Sequence, residues 1–155
     1  MMQLKNNFTL VSGASKGENY ELISFDSALI AAGISDYNLV RISSILPPNS
    51  FFHEHVDSNK GAILHTAYAS LTQKGAGIIS SAIAVGIPKE ADAIGVIMEH
   101  SCFSEKNISI AIAEKMVEIA MKKRSIKIEN ILSIGCDVEL SSDYFATTFA
   151  AIPIW

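Results

Sequence analysis

A serine hydroxyl can attack the carbonyl of the residue before it, and the run Arg41-Ile-Ser-Ser-Ile-Leu-Pro-Pro48 places Ser44 directly behind Ser43. Attack by Ser44 Oγ on the Ser43 carbonyl carbon closes a five-membered ring and opens to an ester. Loss of the Ser44 α-proton then expels the Ser43 carboxylate and leaves dehydroalanine, which hydrolyses to a pyruvoyl group and ammonia. The oxyanion formed on the way needs a donor, for which an Asn side-chain amide is a usual choice. Asn38 stands six residues upstream. In a straight strand that separation is about 20 Å, so either the chain bends sharply or Asn38 serves the Ser44 of a neighbouring copy.

The dipeptide alone says little, because Ser80-Ser81 and Ser141-Ser142 repeat it. Context separates them. Ser43-Ser44 ends the apolar alternating run Asn38-Leu-Val-Arg-Ile42 and is followed after two residues by Pro47-Pro48, which cannot continue a strand and hold their neighbours extended. A serine fixed at such an exit has little freedom to leave the preceding carbonyl.

The run 38–48, with Phe25-Asp-Ser-Ala-Leu29 and Ala32-Gly-Ile34 before it and Ile97-Met-Glu99 after it, resembles the pyruvoyl-dependent arginine decarboxylases. The likeness extends from about Val11 to Trp155 and thins over residues 49–60, where Phe51-Phe-His-Glu-His55 matches no motif of that family. It implies a single decarboxylase domain over 1–155, cleaved by itself into a β chain of residues 1–43 and an α chain of residues 44–155. The fold it implies is that of the pyruvoyl-dependent histidine and arginine decarboxylases, an α/β/β/α four-layer sandwich with mixed or mostly antiparallel sheets, assembled as a trimer with active sites between protomers.

The chemistry it implies is conversion of L-arginine to agmatine and CO2, a step of polyamine biosynthesis, through a Schiff base on the pyruvoyl group of Ser44, with no pyridoxal phosphate and no metal. Asp26 becomes a substrate ligand, since a carboxylate grips a guanidinium by two parallel bonds. It would hold the ammonium of ornithine or lysine less specifically, and those amino acids, with histidine, remain open as substrates. Glu99, ending the uncharged run Ile94-Gly-Val-Ile-Met98, becomes the acid that protonates the substrate α-carbon. Desolvation at such a site raises a carboxyl pKa. Without the family motif, Glu99 is equally a strand-end carboxylate in solvent and Asp26 a helix-surface one. The alternative to an enzyme is an oligomeric binding protein that stays uncleaved.

The elements that must position these groups follow from periodicity. Strands are predicted at residues 8–11, 38–45, 61–69, 77–87, 93–99, 126–139 (one long strand or two short ones) and 145–155, with turns at 13–17 and 74–77. Residues 19–32 form a helix through Leu22, Ile23, Ala28, Leu29 and Ala32, closed by Gly33. A second helix, capped by Ser104, presents Ile108, Ile112, Met116 and Ile119 or Ala120. The class is α+β with a mixed or antiparallel sheet.

Composition bounds the rest. At 49% hydrophobic and 18% charged, the chain is more apolar than an ordinary domain surface requires, which points to burial in a homo-oligomer. A net charge of −4 with Lys122-Lys-Arg124 as its only basic run argues against nucleic acid as a partner. The first seven residues hold no apolar leader and no run is long enough to span a membrane. Cys102 and Cys136 form no C-x-x-C pair, so reduced thiols in the cytoplasm are the expectation. Gly13-Ala-Ser-Lys-Gly17 matches the G-x-S-x-G of serine hydrolases, but too little chain precedes it to build an oxyanion donor. His53 and His55 lack an obvious third metal ligand, His65 reads as structural, and His100 stands beside Glu99.

Overall fold

The computed structural model describes residues 6–155, so the reading of the first seven residues falls mostly outside the described residues. In chain order the elements are β1 (Asn7–Phe8), β2 (Val11–Glu18), α1 (Glu21–Ala32), β3 (Asn38–Arg41), β4 (Ile45–Leu46), β5 (Phe51–Phe52), β6 (Ile63–Gln73), β7 (Ile78–Pro88), β8 (Gly95–Cys102), α2 (Lys106–Lys123), β9 (Ile128–Glu139) and β10 (Phe145–Ile154). The α+β expectation holds, with two helices and two sheets. In the six-stranded sheet β3 runs parallel to β6, β6 antiparallel to β10, and the other side of β10 pairs with β2 and then β1, beside which β5 runs parallel. The four-stranded sheet, ordered β4-β8-β7-β9, is antiparallel throughout.

The uncharged run at β7 is covered on both faces, as read from its composition. Ile83 and Val85 pack with Ile97, Leu46, Ala67, Ala150 and Ile152 between the sheets. Ala82 and Ala84 turn the other way, under Ala113, Val117, Ala120 and Met121 of α2. On the far face of the larger sheet, Ala28 and Leu29 of α1 meet Phe149 and Ala151.

Both helices lie close to their sheets on small residues, and this corrects their predicted faces. A Cβ on Gly86 would stand 2.8 Å from Val117 Cγ1, and one on Gly135 3.0 Å from Ile110 Cγ1. α2 buries Ser109, Ala113, Val117, Ala120 and Met121, so of the predicted stripe Ala120 is buried while Ile108 and Ile119 are 50% and 47% exposed. On α1, Leu22 and Ile23 are likewise exposed, while Ser24, Ala28 and Leu29 are buried. Gly33 closes α1 in the left-handed conformation at φ 78°, as predicted.

Ser104 does not cap α2. Glu105 takes the N-cap position without a side-chain bond, and Asp137 Oδ2 accepts the Lys106 N–H at 2.9 Å, setting a carboxylate where the helix dipole favours one.

The predicted turn at 13–17 is strand. Gly13 sits inside β2, paired with Phe149, and its hydrogen lets α1 come down: a Cβ there would lie 2.5 Å from both Ala28 O and Ala32 N. With no strand-to-helix elbow at this glycine, the hydrolase motif loses its geometry. Backbone on both sides cannot yield as a flexible side chain would, so Gly13→Ala is expected to lower stability by about 1–3 kcal/mol, the usual range for overpacking. A urea melt measures it; an unchanged midpoint would contradict the close approach.

Candidate active site

β3 stops at Arg41, which corrects the unbroken strand predicted over 38–45. The Ile42 N–H still bonds Thr66 O in the larger sheet at 3.1 Å, yet two residues on, the Ser44 carbonyl accepts the Ile97 N–H of the smaller sheet at 2.7 Å. Ile45 and Leu46 then pair with Val96 and Gly95. Stacked sheets stand about 10 Å apart, so a chain joining both must leave one ladder before entering the other. The bond between Ser43 and Ser44 lies in that crossing. Ser43 is exposed and Ser44 half-buried. Pro47 and Pro48, with no N–H to donate, end the short pairing of β4.

The other serine pairs are placed differently. Ser80 and Ser81 are fully buried in β7. Ser80 Oγ meets Ser109 Oγ at 2.7 Å, and Ser81 Oγ meets Ser101 Oγ at 2.7 Å and Thr148 Oγ1 at 2.8 Å. Those hydroxyls satisfy one another inside the protein. Ser141 and Ser142 are exposed between β9 and β10.

Glu99 lies inside β8, which runs on to Cys102, so its expected place at a strand end is corrected. Strand alternation puts it on the face of Ile97, toward the other sheet, with Ile83 opposite. Burial lifts its carboxyl above the ordinary range, and Arg41 partly offsets the lift. Direction and cause, desolvation, agree with the sequence expectation, and the shelter is inside β8 rather than at a strand end. Ser44 faces Ile97 across β8, which makes Glu99 its diagonal neighbour at about 7 Å between Cα atoms.

Arg41 was passed over in the sequence. Continued in its parallel register, β3 would bring the Ser44 N–H to Tyr68 O, since Arg41 is level with Thr66. The chain leaves instead, and Arg41 Nη2 donates to that carbonyl at 2.9 Å. The guanidinium covers the Tyr68 ring at 4.4 Å and reaches Glu99 Oε1 at 3.7 Å. A lone charge in the run Leu39-Val-Arg-Ile42 was the available signal.

Two predicted residues are not brought to Ser44 within one chain. Asn38 Nδ2 donates to Gly61 O at 2.8 Å. Asp26 is exposed on α1, which packs on the face of the larger sheet turned away from the smaller one.

The remaining titratable candidates have other surroundings. His53 Nε2 meets Asn7 Oδ1 at 3.1 Å and its ring lies 5.6 Å from that of Trp155. His100 alternates to the face away from Glu99. Cys136 Sγ lies 3.3 Å from Gly13 O and 3.4 Å from Phe149 O, joining β9 to the other sheet, and burial pushes its thiol up. Among the described residues no group of three or more His, Cys, Asp or Glu could hold a metal, and no helix is long and apolar enough to cross a membrane.

A family model described as pyruvoyl-dependent arginine decarboxylase matches residues 7–154. A protein of that name from Methanocaldococcus jannaschii is 36% identical over 154 residues, covering 99% of this chain and 92% of its own. One so named from Methanopyrus kandleri is 30% identical over 154 residues, 99% of each chain. A third, from Pyrococcus abyssi, is 29% identical over 146 residues, 92% of this chain and 91% of its own.

Proposed function

The chain belongs to the pyruvoyl-dependent arginine decarboxylase family, and from that premise we propose that it cuts itself between Ser43 and Ser44 and converts L-arginine to agmatine and CO2. The observation that carries this reading is the crossing between sheets: the serine pair that spans it stands beside a carboxyl whose pKa is raised. That placement fits the group. An exposed peptide bond can change without breaking either sheet, whereas cutting at Ser80-Ser81 would open the core.

In the cleavage Ser44 Oγ forms an ester with the Ser43 carbonyl carbon as the peptide nitrogen leaves it. The Ser44 α-proton is then lost, the C–O bond breaks with its electron pair on the Ser43 carboxylate, and one water replaces the nitrogen, released as ammonia. The Ile97 N–H keeps the Ser44 carbonyl in place throughout. The pyruvoyl group so made supplies a ketone for the substrate amine and an adjoining carbonyl to accept the electron pair that CO2 leaves behind. No pyridoxal phosphate or metal is needed. Glu99 holds a proton beside apolar Ile83 and Ile97 and gives it to the substrate α-carbon. Asp26 grips the guanidinium with two parallel bonds.

Helix on sheet on sheet on helix is the finer architecture we assign, supported by the three apolar clusters. We assign sites between protomers because Asn38 and Asp26 do not join Ser44 within one chain; that the assembly is a trimer is what the family resemblance implies. Two free thiols fit a reducing cytoplasm. Asn38→Ala alone is expected to stay whole. Co-produced with Ser44→Ala, which still carries Asn38, its Ser44 should be cut in mixed assemblies. If intact mass finds no cleavage in the mixture, Asn38 does not act across an interface.

Intact mass of the purified protein tests the whole reading. Fragments 1–43 and 44–155, the second with a blocked start that has lost its nitrogen, are expected, and CO2 should come from arginine ahead of ornithine, lysine and histidine. A single active chain of 16.7 kDa would sink the proposal.

A further inference from the structure

The guanidinium of Arg41 holds two partners at once, and one of them is poised to acquire a competitor. Tyr68 O and the Tyr68 ring fix it at the sheet edge, and Glu99 Oε1 lies 3.7 Å away. In the register of β3 against β6, residue 43 is the one that would stand level with Tyr68. Arg41 Nη2 thus occupies the carbonyl that a continued strand would have offered to Ser44, next to the residue at which cleavage creates a new carboxylate. Before the cut, Ser43 offers only a neutral carbonyl. Afterwards it ends a chain two residues from Arg41 and carries a full negative charge.

We propose that Arg41 is a positioning residue that passes its charge from Glu99 to the new Ser43 carboxylate when the chain is cut, so that Glu99 keeps its proton more firmly in the cleaved protein than in the whole one. Self-cleavage then makes the reactive carbonyl and arms the acid beside it in one event. The inference rests on the roles given above to Ser44 and Glu99.

Other charges near Glu99 leave this part to Arg41. β7 and β4 contain no titratable residue. β6 brings His65 and Tyr68, whose backbone carbonyl already holds Arg41. The charged residues of α2 lie behind β8, on the side of Met98. At Glu99 burial raises the pKa, while Arg41 and, after it, a backbone hydrogen bond lower it. Removing Arg41 takes away the larger of the opposing causes.

The test is a pH titration by carbon NMR of protein labelled at the Glu carboxyl carbons, with Glu99 assigned by its loss in Glu99→Gln. Wild type supplies the cleaved form and Ser44→Ala the whole one. The Glu99 midpoint is expected to lie about one pH unit higher in the cleaved form, the smaller end of what a neighbouring opposite charge does. Arg41→Lys, which keeps the charge, should preserve a difference of the same sign. Arg41→Gln should abolish it when compared in the same two forms. Equal midpoints in wild type and Ser44→Ala overturn the inference while leaving the decarboxylase reading intact. A difference that survives Arg41→Gln assigns it to the Ser43 carboxylate acting on Glu99 directly, and overturns the role of Arg41. A wild-type chain that never cleaves overturns the reading beneath both.

Discussion

Ser44→Ala should leave one uncut chain of 16.7 kDa with no measurable decarboxylation of arginine. Both losses have a single origin. Without Oγ there is no attack on the Ser43 carbonyl, hence no ester, no elimination and no ketone to take the substrate amine. Since the electron sink disappears altogether, the expected fall is on the order of 10⁶-fold, the low end of enzymatic rate enhancements. Folding should survive. The Ser44 carbonyl keeps its bond from the Ile97 N–H, and substitutions of half-exposed side chains outside a buried network usually shift stability by less than about 0.5 kcal/mol. Intact mass, a thermal melt and a CO2 assay on one preparation decide it. A Ser44→Ala chain that still splits places the nucleophile elsewhere.

Glu99→Gln separates maturation from turnover. The chain should still be cut, because Glu99 has no part in the attack of Ser44 Oγ, but turnover should fall by about 10²- to 10⁴-fold, the usual contribution of a placed general acid. The sign of its pH dependence follows from the direction of its pKa. As the proposed acid, Glu99 carries below its raised pKa the proton the reaction needs; as pH rises through that pKa the proton is lost and the rate should decline. The alkaline limb of wild type therefore lies above the ordinary carboxylate range, and Glu99→Gln should lack it.

Stability has the same sign. A carboxyl whose pKa is raised on folding contributes stability that is fully present below its unfolded pKa and lost as pH rises through the folded one. Melting temperatures of wild type and Glu99→Gln should thus converge in acid and separate above that pKa, with the variant higher. A profile with the wild-type limb intact in Glu99→Gln would move the acid to another residue.

Much of this was legible in the chain. The charge-free run 77–87 became β7, buried on both faces, and Gly33 ended α1 as predicted. The Glu99 carboxyl was expected to be raised and is. What misled was the reading of glycines and large apolar residues by local rules alone. Gly13 and Gly17 resembled a turn, but the hydrogen at Gly13 serves the approach of α1 from across the sheet. The isoleucines of α2 resembled a buried stripe, but the face set on the sheet is that of Ser109, Ala113, Val117, Ala120 and Met121.

In the sequence alone a serine hydroxyl stands next to the preceding carbonyl at three Ser-Ser pairs, and the apolar run before Ser43-Ser44 with Pro47-Pro48 after it singled out the bond proposed to break. Strand and helix were determined there too, wherever side-chain period and local sterics act within a few residues. Tertiary structure decided that this bond lies between two sheets, that Glu99 is half sheltered inside a strand, and that Arg41 stands beside it. Those facts depend on how closely sheets and helices stack and on which ladder the chain leaves, quantities set by contacts between residues far apart in sequence.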